Sequence, residues 1–133
     1  MEEMETKTLE ERWEYWQKQF ERCIKCYACR QICPLCYCQE CITDRNIPQW
    51  ILPSPSFKGN VVWNIVRAFH LAGRCIDCGE CERVCPMNIP LRKINKKLEK
   101  EIKELFGYEA GLDPESKPPL ADFKPEDPEE FIK

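Results

Sequence analysis

A chain of 133 residues with a formal charge of −3 suffices for one compact domain with arms, not for two full domains. Eleven cysteines, about 8% of the chain, match the density of a secreted disulfide scaffold. An odd number cannot all pair, however, and the acidic opening Met-Glu-Glu-Met-Glu lacks the basic and apolar regions of a secretory leader. The expectation is a cytoplasmic setting in which repeated cysteines ligate metal, and no apolar run reaches the roughly 20 residues of a membrane span.

Charge is distributed unevenly. Residues 1–11 sum to −4, residues 107–133 to −5, and the stretch between them, which holds every cysteine, to +6. Its lysines are not interleaved with aromatics and the whole chain is acidic, which argues against nucleic acid as a partner.

Residues 1–7 read as a frayed acidic arm. Thr8 followed by Glu11 has capping-box spacing, and Leu9, Trp13, Trp16 and Phe20 then recur on one helical face. This helix is expected to cover the loop after it, or to present its two tryptophans to another subunit.

Cys23, Cys26, Cys29 and Cys33, followed by Pro34, form a C-x2-C-x2-C-x3-C-P run, and Cys75, Cys78, Cys81 and Cys85, followed by Pro86, repeat it. A cubane iron-sulfur cluster presents its iron corners close together, so three thiolates from a tight loop with two-residue gaps can wrap it, with backbone N–H groups turned to the sulfides. Two copies with one spacing indicate two 4Fe-4S clusters, and in such pairs the fourth cysteine of each run serves the other cluster. The expected ligand sets are therefore Cys23, Cys26, Cys29 and Cys85 for the first cluster, and Cys75, Cys78, Cys81 and Cys33 for the second. Gly79 allows close approach of backbone to the second cluster where Tyr27 occupies the matching place beside the first, so the two environments should differ.

Three further thiols, Cys36, Cys38 and Cys41, follow the first run. They read as free thiols beside the cluster, as a third metal site completed by His70, another cysteine or a partner chain, or as a redox switch. His70, the only histidine, reads first as a packed or hydrogen-bonded residue.

Residues 42–59, rich in proline, form a loop crossing with Trp50 and Phe57 as anchors. Asn60 as N-cap and Gly73 as terminator then bracket a helix over Val61–Ala72, apolar enough to be the central buried one. After the second run an amphipathic helix is expected over Leu91–Phe106. Leu91, Ile94, Leu98, Ile102 and Leu105 form its stripe, and Lys97–Glu101, Glu99–Lys103 and Lys100–Glu104 pair on its solvated face. The last 27 residues hold five of the eleven prolines and the scattered residues Tyr108, Leu112, Leu120, Phe123 and Phe131. Such a tail builds no core of its own and reads as disordered or, by its spaced aromatic anchors, as laid along another subunit.

The paired runs, and the helix leading directly into the second, resemble the helical two-cluster ferredoxin family. The 41 residues from Pro34 to Arg74 exceed what the compact β-α-β ferredoxin places there, and they lack period-two strands. The resemblance covers about residues 9–106 and implies a mainly α fold; with the arms, the chain divides into an N-terminal arm and helix over 1–22, a two-cluster core over 23–106, and an extended tail over 107–133, expected to be partner-bound. The resemblance also implies an electron-transfer subunit that relays single electrons in a larger anaerobic oxidoreductase complex with flavin- or metal-containing subunits. The text from Cys33 to Cys41 is similar to small iron-sulfur subunits of heterodisulfide reductase-like and formate dehydrogenase-like complexes. With one histidine, no Gly-rich dinucleotide fingerprint and no nucleophile-and-base arrangement, the chain shows no catalytic site of its own. A diffusible ferredoxin is the alternative, as is a subunit whose extra cysteines are catalytic.

Overall fold

The structure, a computed structural model, describes residues 2–123 and 125. It is helical: α1 (Glu2–Glu5), α2 (Leu9–Glu21), α3 (Ala28–Gln31), α4 (Phe57–His70), α5 (Glu80–Arg83) and α6 (Leu91–Phe106), with a short 3-10 turn at Pro119–Ala121. Among the described residues there is no strand, in keeping with the expected mainly α class.

The capping box starts α2 as the sequence indicates. Thr8 Oγ1 accepts from the Glu11 N–H at 3.2 Å, and the Glu11 carboxylate accepts from the Thr8 N–H at 2.8 Å. The stripe that follows divides. Phe20 is completely buried and stacks on Trp16, whereas Leu9 and Trp13 are exposed. Within the stretch expected to fray, Met4 is buried, and the Glu5 carboxylate lies 2.5 Å from Lys100 and 3.6 Å from Lys97 on α6.

The central helix begins four residues before the expected start. Ser56, not Asn60, is the N-cap of α4 and accepts from the Gly59 N–H at 3.3 Å. The helix ends at His70, and Gly73 adopts a left-handed conformation (φ 71°) in the turn beyond it. Nor does α4 bury all its apolar residues. Asn60, Asn64 and Arg67 face inward beside Trp63 and Ala68, while Val62 and Phe69 are exposed.

In the loop before α4, Ile51 is the buried anchor; Trp50 and Phe57, expected in that role, are exposed. On α6, Leu91 and Ile102 are buried and Leu105 is exposed. Lys97–Glu101 and Lys100–Glu104 pair as expected, but Lys103 turns to Glu109 and Glu99 to Lys96. Part of the tail lies on this chain itself: a Cβ added at Gly73 would stand 3.1 Å from Pro119. Phe131 lies outside the described residues.

The core gathers Phe20, Ile51, Trp63, Ile89 and Leu91, and two cysteines of the repeated runs, Cys29 and Cys81, are part of it. α2 packs on α4, α3 on α5, and α6 on both α4 and α5. The two cysteine runs therefore meet back to back at the centre of the molecule.

Candidate metal centres

The two runs fold alike. Each winds from its first to its second cysteine through a left-handed residue, Lys25 (φ 53°) or Asp77 (φ 57°). A second left-handed residue follows, Tyr27 (φ 57°) or Gly79 (φ 78°), and a one-turn helix, α3 or α5, carries the third cysteine. Three of these four positions are not glycine, and a left-handed backbone is unfavourable for such residues. Left-handed residues in a tight loop can turn N–H groups toward a concave surface that receives sulfur or anions. The Asp77 N–H accordingly donates to Cys75 Sγ at 3.4 Å.

Cys23, Cys26, Cys29 and Cys85 line one cavity, walled by Trp63, Met87 and Leu91. Cys33, Cys75, Cys78 and Cys81 line the other, walled by Leu71, Arg67 and Asn95. Each cavity thus contains three thiols of one run and the last thiol of the other. Among the described residues no three His, Cys, Asp or Glu side chains converge closely enough to grip a single ion. The four thiols of each set line one cavity, as the ligands of a cluster must.

The first cavity has largely apolar walls, whereas Arg67 and Asn95 add polar groups to the second. Burial pushes the Cys29 thiol up to about 11, against the opposing charge of Arg67, and the neighbouring Cys23, Cys26 and Cys85 push in the same direction. Burial likewise raises Cys75 and Cys81. Such thiols are poor anions by themselves, but coordination to a metal deprotonates a thiol outright. Asn95 on α6 donates to Cys81 Sγ at 3.7 Å. The donor chemistry, the cradles and the paired geometry all fit a 4Fe-4S group in each cavity.

Several polar residues that fix this geometry have no such role by sequence alone, where Asn60 reads as an N-cap and Arg67 as part of an apolar helix. Asn60 donates to the carbonyls of Phe20 (2.9 Å) and Cys23 (2.8 Å) and so caps the end of α2 from a different helix. Arg67 donates to the Cys29 carbonyl at 3.1 Å. Lys25, also buried, reaches the carbonyl of Leu52, and Arg22 reaches those of Met87 and Asn88. A readable pattern does exist: residues 60, 64 and 67 are spaced to share one face of a helix, and on this otherwise apolar helix all three are polar.

Cys36, Cys38 and Cys41 border a separate open groove of about 540 Å³, together with Trp50, His70 and Arg74. Cys38 and His70 are exposed, and Cys36 and Cys41 half-buried. Burial raises the Cys36 thiol, with Cys41 and Cys33 adding to the effect.

Residues 22–90, just over half of the chain, match the family described as a 4Fe-4S dicluster domain. The chain is 41% identical over 120 residues to the F420-dependent formate dehydrogenase subunit beta of Methanocaldococcus jannaschii, an alignment covering 86% of this chain and 30% of that protein. To the F420-dependent formate dehydrogenase 1 subunit beta of Methanococcus maripaludis it is 38% identical over 124 residues, covering 90% of this chain and 31% of that protein. It thus spans under a third of the length of these curated relatives. The chain belongs to the 4Fe-4S dicluster family, and its cofactors are two 4Fe-4S clusters.

Proposed function

We propose that this member of the 4Fe-4S dicluster family is an electron-transfer unit that relays single electrons through its two clusters within a larger oxidoreductase complex. The observation that carries the reading is the pair of back-to-back cavities, each ringed by four thiols drawn from both runs. The ligand sets follow: Cys23, Cys26, Cys29 and Cys85 for the first cluster, Cys75, Cys78, Cys81 and Cys33 for the second.

When bound, the clusters supply reversible one-electron chemistry, so no bond in the chain need form or break. The chain contributes position and exclusion of water. Trp63, Leu91 and Leu71 wall the cavities, and the left-handed turns hold N–H donors towards sulfur. The second cysteine of each run, Cys26 or Cys78, is exposed, and an exposed isoleucine, Ile24 or Ile76, stands two residues before it. Each cluster site thus has one edge open to a partner, as a relay with an entrance and an exit requires.

Both relatives are named as beta subunits of F420-dependent formate dehydrogenases. On that basis we place the chain with the flavin- or metal-bearing subunits of a formate dehydrogenase-like complex in the cytoplasm. No helix among the described residues is long and apolar enough to cross a membrane.

Electron paramagnetic resonance of the anaerobically reduced protein tests the relay. Two magnetically interacting S = 1/2 clusters are expected, and a diamagnetic zinc protein would overturn the reading. Cys85→Ser tests the crossed ligation, since it should perturb the cluster held by the distant first run and spare its neighbour. Anaerobic copurification tests the complex: a folded free chain with no stable partner would make this a diffusible ferredoxin.

A further inference from the structure

Arg67 is only 3% exposed, and no carboxylate pairs with it among the described residues. One guanidinium nitrogen donates to the Cys29 carbonyl at 3.1 Å, on the first run. Nε is buried without a partner. The same side chain lines the cavity of Cys33, Cys75, Cys78 and Cys81. A buried cation left uncompensated is strongly unfavourable, so the fold must supply a negative charge beside it. Arg92, the other cation lining that cavity, is already paired with Asp77 at 2.7 Å and is half exposed.

We propose that Arg67 is a positioning residue whose fixed charge is compensated by the second cluster site, and that it raises the reduction potential of that site relative to the first. The inference rests on the two-cluster reading above. An electron added beside a buried guanidinium is stabilised by its charge, and low dielectric makes the effect larger than at the surface. The bias is unequal because of how the arginine is placed. Toward the first run it offers a hydrogen bond to a backbone carbonyl, whereas it forms part of the wall of the second cavity itself.

The test is an anaerobic redox titration followed by electron paramagnetic resonance, on the cluster-loaded full chain and on Arg67→Gln and Arg67→Lys. The wave of the second site is identified as the one that Cys78→Ser displaces or abolishes. In Arg67→Gln, which keeps a donor for the Cys29 carbonyl but no charge, that wave should move to more negative potential, and further than the wave of the first site. Arg67→Lys should leave it near its original place. Unchanged waves in Arg67→Gln, equal movement of both, or an equal shift in Arg67→Lys would overturn the proposal. If Arg67→Gln fails to retain iron and Arg67→Lys retains it, the requirement for charge is shown by loading; if neither retains it, a charge role is rejected. Fewer than two waves in the unsubstituted chain would instead refute the underlying two-cluster reading.

Discussion

The side-chain amide of Asn60 donates to the carbonyl oxygen of Cys23 at 2.8 Å, joining the central helix to the first residue of the first cysteine run. The same nitrogen donates to the Phe20 carbonyl, so one buried residue closes the end of α2 and sets where the metal-binding loop begins.

Replacing Asn60 by Ala removes both donations; the Phe20 carbonyl keeps the Cys23 N–H at 3.0 Å, while the Cys23 carbonyl loses its side-chain donor. The expected loss is about 1–3 kcal/mol, the cost of one buried group left unsatisfied. Asn60→Asp should be worse, since a carboxylate would face two carbonyl oxygens. Guanidinium midpoints of the cluster-loaded proteins, read by helix circular dichroism, measure this; a midpoint equal to that of the unsubstituted chain would show that water satisfies the carbonyls.

The two halves of the α2 stripe should differ sharply. Phe20 is fully buried, and Phe20→Ala is expected to cost about 3–5 kcal/mol. Leu9 is 72% exposed, so Leu9→Ala should stay within about 0.5 kcal/mol. The same midpoint measurement on both variants checks the pair.

Docking of α1 should depend on pH through Glu5. Its hydrogen bond to Lys100, reinforced by the charges of Lys100 and Lys97, holds the carboxyl below its ordinary value of 4.5, although burial opposes this. A carboxyl lowered in the folded state stabilises it fully above that ordinary value, and the contribution is lost as pH falls below it. Amide exchange over residues 2–8, corrected for intrinsic pH dependence, should therefore be slow near neutral pH and accelerate below 4.5. Glu5→Gln should exchange fast throughout; equal rates for the two proteins near neutral pH would reject the pairing.

With eight cysteines in the two runs, the remaining three, Cys36, Cys38 and Cys41, should titrate as free thiols in the loaded protein, and Cys38, the exposed one, should label first. Metal analysis is expected to give about eight iron atoms and no zinc per chain, as two cubane clusters require. Zinc at one per chain, with these thiols protected, would instead indicate a third site beside His70.

Much of the centre was legible in the sequence because its chemistry is local. The spacing of Cys23, Cys26 and Cys29, and of Cys75, Cys78 and Cys81, comes from the reach of a short loop around one object, so residue type and interval carry it. The capping box at Thr8 and Glu11 is local in the same way. The start of α4 was misplaced because Ser56 and Asn60 are both good N-caps, and what decides between them lies elsewhere: Asn60 is claimed by the carbonyls of Phe20 and Cys23.

The sequence alone determined two four-cysteine runs, a helical chain and metal ligation, because those follow from spacing and periodicity within a few residues. The crossing of the runs was an expectation from their repetition, and the tertiary structure gathers Cys85 with Cys23, Cys26 and Cys29 around one cavity and Cys33 with Cys75, Cys78 and Cys81 around the other. It alone turned Asn60, Asn64 and Arg67 inward while leaving Val62 and Phe69 outside. The physical reason is that loop ends and buried thiols leave carbonyls and charge to be satisfied at the centre. Which distant side chain meets that need is fixed by how the helices pack.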